Sequence, residues 1–517
     1  MIPDMHPPGS TTMTDQLSAW LDGRKAWFFI GLIGAYVALH FLLRVVFSPV
    51  IGTDDVTQAI YAQVLAWGYE FRQPPLYTWL QWGSDRLIGV GVASHAFLKY
   101  LLLFLTYLFL YLVARQVHAR QSTAIIAAAS LGLTYPFAVS IHQGVTHSIL
   151  LTALIAASVW AFIRLERRPS LPGYLGLGLL LGLGVFSKYG FLVFAGAFLL
   201  AALSLPRYRR VLLDRRMLLA LAIVILIALP PLLWLIERQT DTLAAAAALG
   251  PKTAQASTLP PRLANLASLL SSIVQFLAPL WLFLLIFFPK ALRRTEAQPG
   301  MNEDAARLLG RTLAISLALL VLAMLAGLLG KVQPRWMHAF LLLFPLYFFA
   351  RAEKAYAQGV ARRGYVITLA AIPVLVIVLW AGQTYLGPSL GKATRFHAPY
   401  DQLARHLQEG NPEPGLIVAG DEYLAGNLRL YFPQAAVIAA SFPFSPPAPA
   451  QGGCLLVWNT AAGASLPPPL EKFLVQAPGA SAAGMKVWKG LYRHSSRDFL
   501  EAAYLALPRE ACRTSPE

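Results

Sequence analysis

The sequence predicts a polytopic bundle of transmembrane helices with a small α/β domain at its C-terminal end. Three observations lead there. Of the 517 residues 57% are hydrophobic and 13% charged, with a mean hydropathy of +0.56, too apolar for a water-soluble globule of this size. Apolar runs of about 20 residues recur along most of the chain, each long enough to cross a bilayer's hydrocarbon core. From about residue 387 these runs stop, and short strand patterns alternate with amphipathic helical ones between Pro-rich breaks.

Segment 1–25 is polar. The apolar run after it is longer than a signal-peptide core and lacks a small-x-small cleavage site, so it reads as an uncleaved anchor. Spans are expected at 26–50, 95–114, 123–141, 147–162, 171–186, 191–205, 217–236, 269–288, 312–329, 337–350 and 366–385, about eleven in all. Lys and Arg cluster in alternate loops, as at Arg24/Lys25, Arg164/Arg167/Arg168 and Arg351/Lys354, and that side is the cytoplasm. An odd number of spans then sends the loop at Asp54, the loop 331–338 and the region 387–517 to the periplasmic side of an inner membrane. The net charge of +17 resides in these orientation clusters, so no nucleic-acid partner is expected. Cys454 and Cys512 both lie in the C-terminal region, where one disulfide and two buried thiols fit equally.

The segment richest in chemistry follows the first span: IGTDDVTQAIYAQVLAWGYEFRQPPLYTWLQW, residues 51–82. Val56, Ile60, Tyr61, Val64, Leu65 and Trp67 fall at helical spacing, which predicts a helix over 56–67 lying in the membrane interface. Pro74 and Pro75 break the chain before a second interfacial helix rich in Trp and Tyr, so juxtamembrane helices are expected at about 55–90. Asp54 and Asp55 head the first of them, where a lipid headgroup meets the protein. Capping of that helix explains an acid there as well.

The stretch TDDVTQAIYAQVLAWGYEFRQPPLYTWL resembles the first outer loop of polyprenyl-phosphate-sugar-dependent glycosyltransferases of the GT-C class, in the PMT/ArnT-like group that includes the RgtA-type enzymes. It shares their acidic pair, juxtamembrane helix and Pro-Pro-Leu turn. GLGLLLGLGVFSKYGFLVF is similar to the family's Gly-rich span ending in Ser-Lys-Tyr, LPPLLWLIERQ to its Pro-to-Trp segment, and KVQPRWMHAFLLLFPLYF to its late Arg-Trp motif. The likeness runs over about 51–346. It departs at GVTHSILL, where His147 and Ser148 stand in place of a second acid common in the family. Gln73 also precedes the paired prolines where some relatives carry Lys or His, leaving Arg72 as the nearest cation.

The resemblance implies a GT-C-type bundle that moves a sugar from a polyprenyl-phosphate donor, with inversion at the anomeric carbon. The acceptor would be a hydroxyl or amine of lipid A or another envelope glycolipid, a glycan or a protein. Asp54 is then the general base, since partial desolvation lifts a carboxylate toward the working range, and Asp55 orients it or contacts the acceptor. Arg72, Lys188, Arg335 and Lys331 are the candidates to hold the leaving phosphate; Gln73, Trp67, Tyr69, His147 and His338 are candidates to contact acceptor or sugar. Lys188 and Arg335 also fit simple anchoring of helix ends, and His147 a satisfied helix-start residue. No protein metal centre or cofactor is expected, although the acidic pair leaves room for one divalent cation held with waters or the donor phosphate. Asp421 and Glu422 stand at a strand end, a place where α/β folds bind ligands, and helix capping explains Asp421 equally well. Many spans with scattered charge also describe a lipid or solute transporter or flippase. Gathering of charge at one face, without paired repeats, favours the enzyme.

Overall fold

The computed structural model describes residues 13–238, 260–289, 300–356, 359–410, 413–442, 452–460, 465–475 and 484–513. Among them six helices are long and apolar enough to cross a membrane: Ala26–Phe47, Val92–Val117, His147–Arg167, Met217–Glu237, Glu303–Leu325 and Arg362–Tyr385. The pair Gly190–Leu203 and Pro206–Leu212, bent by 120°, makes a seventh if taken as one span.

The remaining expected spans are shorter or broken. Gln121–Leu133 ends before a π-helical turn at Pro136–Ser140, and the run at 269–288 divides into Pro261–Leu277 and Leu280–Phe287 at Pro279. Proline has no amide hydrogen and its ring strikes the preceding turn, so an apolar run containing it need not be one helix. Helix His147–Arg167 is the most enclosed, lying against Val92–Val117 and Leu171–Ser187. The Gly-rich span packs closely on Met217–Glu237: a Cβ at Gly178 would stand 2.6 Å from the Ala220 carbonyl oxygen.

The C-terminal domain is a five-stranded sheet of β1 (Pro414–Ala419), β2 (Ala436–Ala439), β3 (Gly453–Asn459), β4 (Lys486–Leu491) and β5 (Phe499–Leu507), in the order β2-β1-β3-β5-β4. β1 runs parallel to β2 and β3, while β5 is antiparallel to β3 and β4. Alternate side chains face opposite sides of the sheet: Ile417, Val437 and Leu455 pack on one core, Val418, Ile438 and Leu456 on another. Helices Tyr400–Gly410 and Glu422–Arg429 cover the first of these faces through Leu403, Leu407, Leu424 and Leu428. Cys454 and Cys512 are joined as a disulfide.

The outer loop behaves differently from the expectation of an interfacial helix over 56–67. The helix runs only from Asp54 to Tyr61, and its apolar side is covered by protein. Val50, Ile60, Tyr61 and Tyr69 belong to the same buried cluster as Leu403, Leu424 and Val437 of the C-terminal domain. Ile51, Val56 and Ala59 form a second cluster with Tyr423 and Leu430. An amphipathic pattern states that a face needs apolar company and leaves open whether lipid or protein supplies it. The second helix, Leu76–Ile88, begins directly after the paired prolines as expected.

Candidate active site

The site is built from the C-terminal end of the first span. Arg44, buried there, donates to the backbone carbonyls of Ser48 at 2.9 Å and Val50 at 2.6 Å, closing the loop that leads to the acids. Thr53 then takes φ 50° and ψ −121°, a backbone conformation that a β-branched residue rarely adopts. Gly144 backs it so closely that a Cβ on that glycine would lie 2.7 Å from Thr53 Oγ1. Strain of this kind costs of order 1–3 kcal/mol and persists where the surroundings over-determine the conformation. Its consequence is to start a helix at Asp54, with both carboxyl groups in the first turn where the helix dipole favours negative charge.

The two acids then diverge. Asp55 is 1% exposed and accepts from Lys99 Nζ at 2.6 Å, an ion pair enclosed within the bundle. Asp54 is half-buried and, among the described residues, accepts no hydrogen bond. Burial and the neighbouring Asp55 charge raise its pKa above the ordinary carboxylate range, against the opposing pull of Lys188, Arg335 and Lys99. Asp54 is thus the member of the pair without a bonded partner among the described residues. Asp55, expected to orient Asp54 or touch the acceptor, is instead committed to Lys99 and sealed from it.

Lys188 reaches the same region because the Gly-rich helix stops at Ser187 and the chain turns extended at Lys188 before Gly190–Leu203 begins. Its Nζ donates to Ser148 Oγ at 2.7 Å, so Ser148 serves as a neutral partner for this cation. Burial lowers the Lys188 pKa to about 8, with Arg335 adding to the fall and Asp54 opposing it. Arg335 sits exposed on the single turn Pro334–Trp336. Glu70 and, from the C-terminal domain, Glu422 border the same space: both are raised chiefly by burial, and each feels the Asp54 charge.

The other predicted residues divide. Arg72 and Lys331 are exposed, and Trp67 is 52% exposed with its ring on Trp79 at 5.1 Å. Gln73 keeps a buried carboxamide oxygen without a partner. His147, expected to meet acceptor or sugar, is buried and fully engaged: Gln58 donates to its Nε2 at 3.2 Å, and its Nδ1 hydrogen goes to the Ser187 carbonyl at 3.3 Å. Tyr69 likewise donates to the Val64 carbonyl and accepts from the Ala66 amide, stacked on Tyr61. His338 bonds the Arg335 carbonyl at 2.8 Å between the rings of Phe137 and Phe276. The polar atoms of His147 and the Tyr69 hydroxyl are thus engaged within the protein, whereas His338 is bonded through Nδ1 alone. Asp421 caps helix Glu422–Arg429 through the amides of Tyr423 and Leu424 at 2.8 and 2.9 Å.

Sequence reasoning missed Lys99, Arg44, Gln58 and Asn427. A signal existed for the first two, since an ionisable residue inside an apolar span calls for a partner. Nothing local marks Gln58 or Asn427. The described residues hold no group of three His, Cys, Asp or Glu side chains able to grip a metal ion. Of the acidic pair that leaves room for one divalent cation, Asp55 is held by Lys99, so Asp54 is the carboxylate without a bonded partner there.

A membrane helix bundle with a small C-terminal α/β domain packed on its first outer loop has the architecture of the GT-C glycosyltransferases. ArnT from Cupriavidus metallidurans bound to undecaprenyl phosphate shares the fold, with a TM-score of 0.58 at 14% identity over 93% of this chain and 98% of that one. Residues 72–234 match the sequence profile of the dolichyl-phosphate-mannose-protein mannosyltransferase family. The chain is 34% identical to the lipopolysaccharide core galacturonosyltransferase RgtB of Rhizobium johnstonii, over 88% of this chain and 92% of that protein. It is 33% identical to RgtA of the same organism, over 86% and 90%. The chain belongs to the GT-C family of membrane glycosyltransferases that contains RgtA and RgtB. It is a glycosyltransferase.

Proposed function

We propose that this enzyme transfers a galacturonosyl residue from a polyprenyl-phosphate carrier to a sugar hydroxyl of a lipopolysaccharide core, at the periplasmic face of the inner membrane, with Asp54 as general base. The observation that carries the reading is the contrast within the acidic pair: Asp54 alone is unbonded and open, with the charges of Lys188 and Arg335 acting on it. In one displacement the acceptor oxygen forms its bond to the anomeric carbon while the bond to the phosphate oxygen breaks. The electron pair leaves with the polyprenyl phosphate, and the acceptor proton passes to Asp54. A single backside attack inverts the centre.

Lys188 and Arg335 hold the departing phosphate, with Arg72 and Lys331 further out; fixed cations in a partly desolvated site act where negative charge develops. A galacturonosyl donor carries a second anionic group on its sugar. The exposed Arg72 and Lys331 are the cations available to it, and RgtA and RgtB are named for that sugar. Gln73 and Trp67 remain open for acceptor contacts. The Cys454–Cys512 bond suits an oxidising periplasm on the C-terminal side.

The test uses membranes containing the enzyme, undecaprenyl phosphate bearing radiolabelled galacturonic acid, and a lipopolysaccharide core acceptor. Label should pass to the core with wild type and not with Asp54→Asn. Transfer unaffected by that substitution refutes the base assignment, and failure with this donor but success with another uronic acid or a neutral sugar refutes the sugar.

A further inference from the structure

We propose that Asn427, in the C-terminal domain, is a positioning residue for glycosyl transfer: its carboxamide grips the Ile51 peptide and so fixes the turn that presents Asp54. The inference rests on Asp54 being the base. Asn427 is fully buried; its Oδ1 accepts from the Ile51 amide at 2.9 Å, and its Nδ2 donates to the Ile51 carbonyl at 3.1 Å and to the Tyr423 carbonyl at 2.9 Å. Both polar groups of Ile51, itself fully buried, are thereby satisfied by one side chain from 376 residues away.

Two residues on from Ile51 comes Thr53, and the strained backbone there can hold only if its flanks are pinned. Arg44 pins the membrane side through Ser48 and Val50, and Asn427 pins the side facing the C-terminal domain. The helix is held at its far end too, because the Gln63 carboxamide donates to the Val437 carbonyl at 2.8 Å and accepts from the Val437 amide at 2.9 Å on β2. Midway, Gly426 meets Val56 backbone to backbone: a Cβ on Gly426 would stand 2.6 Å from Val56 Cα. Among these contacts from the C-terminal domain, the Asn427 grip is the one made on the turn leading into Asp54. The C-terminal domain therefore completes the catalytic loop as well as covering it.

Displacement of a reacting group by about 1 Å costs of order 10²-fold in rate, which sets the expected effect. Full-length wild type, Asn427→Ala, Asn427→Asp and Asp54→Asn are compared in vesicles, reading kcat with the undecaprenyl phosphate galacturonic acid donor and, separately, binding of plain undecaprenyl phosphate. Asn427→Ala should lose about 10²-fold in kcat while carrier binding is unchanged, since the interaction acts on the base and not on the bound carrier. Asn427→Asp keeps the acceptor for the Ile51 amide and should recover part of the loss. It carries the same test should the alanine variant fail to accumulate. Wild-type kcat in Asn427→Ala, or carrier binding lost in step with kcat, overturns the assignment. If Asp54→Asn is inactive while Asn427→Ala is fully active, the Asn427 assignment falls alone; if Asp54→Asn is active, the base reading falls with it.

Discussion

Lys99 Nζ lies 2.6 Å from Asp55 Oδ2, both side chains enclosed by the bundle, while the adjacent Asp54 receives no hydrogen bond among the described residues. One residue of sequence thus separates a buried ion pair from an open carboxylate. The helix start at Asp54 produces the difference, because successive side chains on a helix point about 100° apart: Asp55 turns toward Lys99 on Val92–Val117 and Asp54 turns away from it. Removing one member of such a buried pair strands the other as an uncompensated charge.

Lys99→Met should therefore destabilise the protein by about 3–5 kcal/mol, and the double variant Lys99→Met/Asp55→Asn should recover most of it. Thermal unfolding in detergent reads both. A double variant no more stable than the single one shows that the Lys99 stem, and not the charge pair, supports the fold.

Asp54→Asn keeps size and most of the packing but cannot take a proton, so kcat should fall by about 10²–10⁴-fold. Undecaprenyl phosphate binding should hold or improve, since a negative charge near the phosphate is removed. Weaker binding would place Asp54 in carrier recognition instead of proton transfer.

The rate should pass through a maximum with pH. The base works deprotonated, so kcat/KM rises as pH climbs through the elevated pKa of Asp54. Lys188 works protonated, and burial holds it to about 8, so kcat/KM falls as pH rises beyond that value. Lys188→Arg keeps its charge at any working pH and should push the alkaline limb upward. An alkaline limb identical in the arginine variant assigns that ionisation to another group.

Transfer should persist in excess EDTA. On the function proposed above, Lys188 and Arg335 supply the positive charge at the phosphate, and Asp55 is already held by Lys99. Activity that vanishes in EDTA and returns with one divalent ion alone would overturn this division of charge.

Gly426→Ala should lower the unfolding midpoint and the rate together. The new methyl must enter space already filled by the Val56 backbone, 2.6 Å away, and such overpacking costs about 1–3 kcal/mol. An unchanged midpoint would mean that the two helices can separate without loss.

What the sequence by itself determined was the class and the placement of its chemistry. Apolar runs require a bilayer wherever they stand, and the Asp54/Asp55 pair, the Ser-Lys-Tyr break and the Arg-Trp turn are local patterns that survive without knowledge of their neighbours. Tertiary structure decided which members of those patterns are already bonded within the protein. His147 and Tyr69 read as site residues until Gln58, Ser187 and the loop carbonyls were seen to satisfy them. Lys99 and Asn427 lie 44 and 376 residues from the partners they hold, and pairing at such separations leaves no periodic trace in the chain. The apolar face of helix Asp54–Tyr61 shows the same limit, for hydrophobic spacing fixes which side is buried, while only folding selects the C-terminal domain over lipid as what buries it.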